Sequence, residues 1–270
     1  KVNRTKAYGA EVILHGDVYD DACEKAKQLA EETGCTFVHP FDDEDVITGQ
    51  GTITMEIIQE LPTVDYIFAP VGGRGLISGV ATLAKMLNPK IQVIGVEPIE
   101  AASMSASLEA GEVVTLDSAN TIADGTAVKT VGANVLQYVK ENVEEVLLVE
   151  DDELIGAFLD MVENHKMVVE NAGLLTIAAL KQLDLEGKKV VSILSGGNMD
   201  VITMSSIVQH GLIQRDRIFS VSVLLPDKPG ELVRVASVIA NAQGNVIKLE
   251  HNQFVSTNRN AAVELRITLE

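Results

Sequence analysis

The sequence predicts an open, mostly parallel α/β sheet followed by a smaller α+β module. Apolar runs alternate with stretches of helical spacing from residue 10 to about 210. Several of these runs are apolar at nearly every position, as expected of strands covered by helices on both faces. After Gly211 the pattern changes to strands in which apolar and polar residues alternate, as in a sheet with one face exposed.

In chain order, Glu11–Leu14, Val64–Pro70, Ile91–Val96, Val146–Val149 and Lys189–Leu194 read as strands. Residues 18–33 carry Val18, Ala22, Ala26, Leu29 and Ala30 at helical intervals, with Asp17 as N-cap and Gly34 as terminator. Residues 211–216 read as a linker. From Arg217 the order is strand, turn, helix, strand, strand. Phe219, Val221, Val223 and Leu225 alternate, and Pro226-Asp227-Lys228-Pro229-Gly230 is a turn. Leu232, Val235, Ala236 and Ile239 follow at helical spacing until Gly244-Asn245. Ile247 and Leu249 then alternate with Lys248 and Glu250, and Val263, Leu265, Ile267 and Leu269 with Glu264, Arg266 and Thr268.

Composition narrows the function classes. The chain has 270 residues, 46% of them hydrophobic, which suits one or two domains with a large core. Aromatics make up 4% and Trp is absent, so that core is aliphatic and rich in alanine. The net charge of −18 disfavours nucleic acid and anionic membranes as partners. A phosphate ligand must therefore be held locally, by backbone N–H groups. Cys23 and Cys35 have no metal or disulfide spacing and read as free thiols in a reducing, cytoplasmic compartment. His15, His39, His165, His210 and His251 show no metal-ligand spacing. No apolar run approaches the ~20 residues of a membrane span, and no signal peptide is evident. The chain starts at Lys1 and stops at Glu270 inside an alternating pattern, and so reads as a fragment.

The strand Val64–Pro70 runs into Val71-Gly72-Gly73-Arg74-Gly75, and a helix opens at Leu76. Strand, glycine turn and helix N-terminus together form an anion site, because orphan amides and the helix dipole converge where glycines admit a phosphate. An ordinary tight βα turn is the competing reading. A dinucleotide site fits poorly: Gly73 and Gly75 are followed by Gly79, one position late, although Glu97 lies at a suitable distance for the ribose acid. A Walker A loop is excluded, since no Gly-Lys-Ser/Thr is present. A second strand ends in Ser195-Gly196-Gly197-Asn198. Its serine is either a helix cap or a hydroxyl facing the ligand crevice.

With these turns in place the sequence resembles the threonine/serine dehydratases, fold type II pyridoxal-phosphate enzymes. The resemblance rests on Lys1-Val2-Asn3, Lys6 to Val12, His39 to Asp43, Gly49-Gln50-Gly51-Thr52, Pro70 to Leu76, Val96-Glu97-Pro98, Ala123 to Val128 and Ser195 to Asn198, in the family's order over residues 1 to about 205. It implies a small-domain segment at 1–42 and a cofactor-binding domain at 43–210. It also implies that Gly72, Gly73, Arg74, Gly75 and Leu76 hold the cofactor phosphate through their amides. Ser195 would hydrogen-bond the pyridine nitrogen. Glu170 matches a family acid near the cofactor, with a helix N-cap carboxylate as the alternative role. Glu97, Ala101 and Ser103 fall where some relatives bind a divalent cation, but Ser103 replaces a carboxylate, and no metal is expected.

Two departures stand out. The family's Schiff-base lysine lies in a Ser-x-Phe-Lys motif, which this chain does not contain, and the Ser-Gly-Asn-His loop is also absent. No catalytic residue is therefore assigned, and the chain alone is expected to be inactive. Arg74 stands where the family has glycine, and a positive φ there would cost roughly 1 kcal/mol.

Asp227-Lys228-Pro229-Gly230-Glu231-Leu232 and Gly244-Asn245 resemble the ACT domain, a ferredoxin-like βαββαβ fold. That assigns residues 217–270 to a truncated regulatory module. Asp227, Lys228, Pro229, Gly230, Glu231, Leu232 and Asn245 become candidate effector ligands, with isoleucine or valine as the implied effector; a bare fold without ligand is the alternative. The implied reaction is that of a threonine dehydratase, giving 2-oxobutanoate and ammonia in a homo-oligomer, dimer or tetramer. A serine dehydratase or serine racemase, a dinucleotide-dependent oxidoreductase and a non-catalytic amino-acid sensor remain open.

Overall fold

The computed structural model describes residues 2–16, 19–73, 75–252 and 263–270. Lys1, Asp17, Val18 and Arg74 lie outside them. The N-terminal segment holds α1 (Val2–Ala7) and α2 (Tyr19–Thr33). Gly34 ends α2 as the sequence predicts, with φ +71° and its amide donating to Ala30 O at 2.9 Å. Residues Glu11–Leu14 form no strand. Ile13 and Leu14 are 56% and 75% exposed, and no described strand lies alongside to take their backbone groups.

The α/β body contains α3 (Glu44–Gln50), α4 (Thr52–Glu60), β1 (Tyr66–Pro70), α5 (Gly75–Leu87), β2 (Gln92–Pro98), α6 (Ser103–Ala110), α7 (Ala133–Asn142), β3 (Glu145–Val149), α8 (Asp151–Asp160), α9 (Asn171–Ala178), β4 (Val190–Ser192) and α10 (Val201–Gln214). Its sheet is parallel throughout, in the order β3-β2-β1-β4. Successive residues of the central strands point to opposite faces. Ile67, Ala69 and Val93 join a core with Ile77, Val80 and Ala84 of α5. Phe68, Ile94 and Val96 join a second core with Leu154 and Phe158 of α8 and Leu174 and Leu175 of α9. That two-sided burial is why β1 and β2 read as unbroken apolar runs. Phe68 and Phe158 are fully buried, each contributing about 1.5–3 kcal/mol. The last strand is shorter than Lys189–Leu194 and only half-buried, because β4 pairs on one side alone.

Local chemistry sets the helix ends. The Asp43 carboxylate accepts from the amides of Asp45 and Val46 at the start of α3. Glu150 and Glu153 form a capping box on α8, and Asp200 caps α10. The expected linker at 211–216 is helical through Gln214. Gly211 breaks nothing: it is where α10 crosses α8, and a β-carbon there would lie 2.5 Å from Leu159 Cδ1. Arg215 then pairs with Asp160 at 2.6 Å and Glu163 at 2.7 Å, and Arg217 with Glu163 at 2.8 Å.

The C-terminal module comprises β5 (Phe219–Leu225), α11 (Glu231–Asn241), β6 (Val246–Asn252) and β7 (Val263–Leu269). Its sheet order is β5-β7-β6, with β7 antiparallel to both neighbours, so β5-α11-β6 is a split βαβ unit. Leu265, Ile267 and Leu269 of β7 pack with Val221, Leu225, Val235 and Ile239, while Glu264, Arg266 and Thr268 take the other face.

Candidate active site

Strands β1 and β4 are parallel neighbours, with Tyr66 opposite Val190 and Phe68 opposite Ser192. Their C-terminal ends therefore open at the same edge, and the two glycine turns follow from them. After β1 the Val71 amide still donates to Val96 O at 2.8 Å. Among the described residues, the Gly72 and Gly73 amides donate to no backbone acceptor. The first amides of α5, from Gly75 and Leu76, have none within their own helix.

The turn is glycine because it is enclosed. A β-carbon on Gly72 would lie 2.9 Å from Thr126 Cα, one on Gly73 2.4 Å from Phe41 Cδ1, and one on Gly75 2.9 Å from Phe41 O. The result is a pocket of about 270 Å³ lined by Gly72, Gly73, Gly75 and Leu76 together with Glu170 and Ser195. The structure thus brings together every sequence-predicted cofactor residue that it describes. Arg74 lies outside the described residues, and nothing follows for it.

Neither Ser195 nor Glu170 makes the helix cap that is the alternative reading for each. α10 is capped by Asp200, not Ser195. Glu170 occupies the N-cap position of α9 but makes no side-chain cap there. Instead its Oε2 accepts the Asn198 amide at 2.9 Å, and its own amide donates to Gly196 O at 3.1 Å. A β-carbon on Gly196 would lie 2.2 Å from Glu170 Oε1. Glu170 is thus the strap of the turn that carries Ser195, as well as part of the pocket wall.

Sequence reasoning assigned no role to Phe41, Gln50, Gly125 or Thr126, which also line this pocket. Their positions fall in the segments His39 to Asp43, Gly49 to Thr52 and Ala123 to Val128. Those motifs were the only available signal, since no periodicity marks them.

Glu97 is fully buried and serves α6: its carboxylate accepts from the Met104 and Ser105 amides and the Ser105 hydroxyl, each at 2.9 Å. Ser103 donates its hydroxyl to Val128 O at 2.7 Å. Among the described residues no group of three or more His, Cys, Asp or Glu is placed to hold a metal.

The candidate effector residues separate. Asp227 to Leu232 form the turn after β5 and the start of α11, with Gly230 at φ +96°. Asn245 sits before β6, bonded to Glu270 through the backbone and its side chain. Leu225 pairs with Val263 and Val246 with Leu269, so the turn and Asn245 lie at opposite ends of β7, about 20 Å apart. One chain does not gather these seven residues into one site.

An open parallel sheet whose neighbouring strands end in a glycine turn and a serine turn at one pocket defines an α/β protein with a ligand crevice at the C-terminal edge of its strands. The chain belongs to the pyridoxal-phosphate dependent enzymes, whose family description matches residues 1–196. It is 43% identical to an L-threonine ammonia-lyase of Geobacter sulfurreducens over 273 residues, covering 100% of this chain and 68% of that protein. It is 42% identical to an L-threonine ammonia-lyase of Thermotoga maritima over 254 residues, covering 94% of this chain and 63% of that protein. Among solved structures, the processed form of threonine deaminase isoform 2 from Solanum lycopersicum superposes with a TM-score of 0.72 at 36% identity, covering 77% of this chain and 62% of that one. The chain thus spans about two thirds of the length of these relatives. Among the described residues no helix is long and apolar enough to cross a membrane.

Proposed function

We propose that this chain serves a threonine ammonia-lyase (threonine dehydratase), converting L-threonine to 2-oxobutanoate and ammonia. One observation carries the reading: the Gly72–Gly75 turn and Ser195 face one pocket from the ends of adjacent parallel strands. The names of the relatives support the substrate.

The residues present fit pyridoxal phosphate. The amides of Gly72 and Gly73, which have no backbone acceptor among the described residues, and the N-terminus of α5 suit the phosphate, and a β-carbon at Gly72, Gly73 or Gly75 would collide with Thr126 or Phe41 of the pocket wall. When bound, the cofactor supplies an electron sink for removal of a substrate Cα proton and departure of a β-hydroxyl. The Ser195 hydroxyl would hydrogen-bond the cofactor's ring nitrogen without fully charging it. Glu170 fixes that hydroxyl by holding the Asn198 amide and the Gly196 carbonyl. No catalytic residue is assigned within the chain.

The same reading takes residues 1–42 as part of a small domain, 43–210 as the cofactor domain and 217–270 as an ACT regulatory module in a cytoplasmic homo-oligomer. The split βαβ order of β5, β7 and β6 supports the last assignment. An amino-acid effector is assigned to the turn Asp227–Leu232, where amides at the start of α11 suit a carboxylate.

The test is full-length protein offered L-threonine and L-serine, with 2-oxo acid release and pyridoxal-phosphate absorbance measured together. Faster turnover of threonine, with cofactor absorbance, is expected. Absence of cofactor binding and 2-oxo acid rejects the reading, and a preference for serine reassigns the substrate.

A further inference from the structure

The loop that closes over the phosphate turn is itself held by an unassigned side chain. His39 Nδ1 lies 2.8 Å from the Asp42 amide and 3.3 Å from the Phe41 amide. Both amides donate, so Nδ1 carries a lone pair and the ring proton sits on Nε2. This is the bonding of an Asx turn, with an imidazole in place of the short carboxylate. Asp43 repeats it one step along, accepting from Asp45 at 2.9 Å and Val46 at 3.1 Å. Two side-chain turns in series thus fix residues 39–46 and leave no slack between them.

That rigidity falls on the pocket. Phe41 lies within the turn, between Pro40 and Asp42, and its ring and carbonyl form the wall against Gly73 and Gly75. The His39 ring meets the Phe41 ring edge-on, with centroids 4.6 Å apart at 90°. Behind Phe41, the Asp42 carboxylate abuts Gly132, where a β-carbon would lie 2.7 Å from Cγ. Phe41 is therefore placed by a bonded turn on one side and a filled contact on the other.

We propose that His39 is a positioning residue for the cofactor phosphate: its unprotonated Nδ1 holds the Phe41–Asp42 backbone, which sets the depth of the Gly72–Gly75 cradle. The proposal rests on the pyridoxal-phosphate reading above. It assigns His39 no contact with cofactor or substrate.

The experiment measures pyridoxal-phosphate affinity by fluorescence titration, and the 31P signal of the bound phosphate, in full-length protein. Three variants separate the acceptor from the ring. His39→Ala removes both, His39→Phe keeps an aromatic ring without the acceptor, and His39→Asn keeps an acceptor at the reach of an Asx turn. His39→Ala and His39→Phe are expected to weaken binding about tenfold and move the 31P signal. His39→Asn is expected to stay within about threefold, with the native signal. Native affinity in His39→Phe, or His39→Asn as weak as His39→Ala, overturns the proposal. If unaltered full-length protein binds no pyridoxal phosphate, the cofactor reading fails and takes this proposal with it. Tight binding in all three variants defeats the His39 assignment alone.

Discussion

Replacing Gly79 with alanine tests the close packing behind the pocket. Gly79 lies inside α5, where alanine normally stabilises a helix by about 1 kcal/mol over glycine. Here a β-carbon would lie 2.1 Å from Ile47 O, 2.8 Å from Gln50 Cβ and 2.9 Å from Gly51 N. Two of those three atoms are backbone of the α3–α4 segment, so no side-chain rotation relieves the contact. Normal separation requires α3 and α5 to part by about 1 Å, and overpacking of this kind costs about 1–3 kcal/mol or more. The net effect is a loss of about 2 kcal/mol, or a melting temperature lower by about 4–8 °C. Gly156 in α8 is the control. It is also helical, but a β-carbon there meets nothing within 4 Å. Gly156→Ala should therefore stabilise by about 0.5–1 kcal/mol. Urea unfolding followed by circular dichroism of both variants gives the two signs directly. Gly79→Ala as stable as the parent, or more so, would refute the α3–α5 approach on which the position of Gln50 in the pocket depends.

Gly196→Ala puts a β-carbon 2.2 Å from Glu170 Oε1, so the carboxylate must leave the Asn198 amide. A flexible side chain can yield, so stability changes by about 1 kcal/mol or less while pyridoxal-phosphate affinity falls about tenfold in a titration. Arg215→Ala removes pairs to Asp160 and Glu163 and a bond to Gly156 O. These groups are 29–39% exposed, which limits the loss to about 1–2 kcal/mol; a double-mutant cycle with Glu163→Gln should show coupling. Asp200 is held below the usual carboxylate range by the Thr203 hydroxyl, then by the Thr203 and Ile202 amides. Its stabilising contribution is complete above about pH 4 and fades as pH falls through the lowered value. The melting-temperature gap between parent and Asp200→Ala should therefore be open at pH 7 and narrow below about pH 4; a gap independent of pH would refute the cap's ionic character.

What could be read from the sequence was whatever a residue declares about its own surroundings. Val64–Pro70 is apolar at both parities because both of its faces are covered, and Gly72, Gly73 and Gly75 report an enclosed turn at a strand end. Burial and crowding leave local marks; the identity of the neighbour does not. Glu11–Leu14 is as apolar as a strand, but a strand also needs a partner, and none is described beside it. Residues 211–216 read as a linker because the apolar pattern changes after Gly211, yet Gly211 continues α10 where only a hydrogen fits against Leu159. Asn245 reads together with Asp227–Leu232 because motifs are read along the chain, whereas β7 holds them at its two ends. Gly79 and Gly156 make the point most sharply. Both are glycines inside apolar helical stretches, alike by any propensity scale. One faces the backbone of α3 and the other faces open space, so the same methyl group should damage the first helix and strengthen the second.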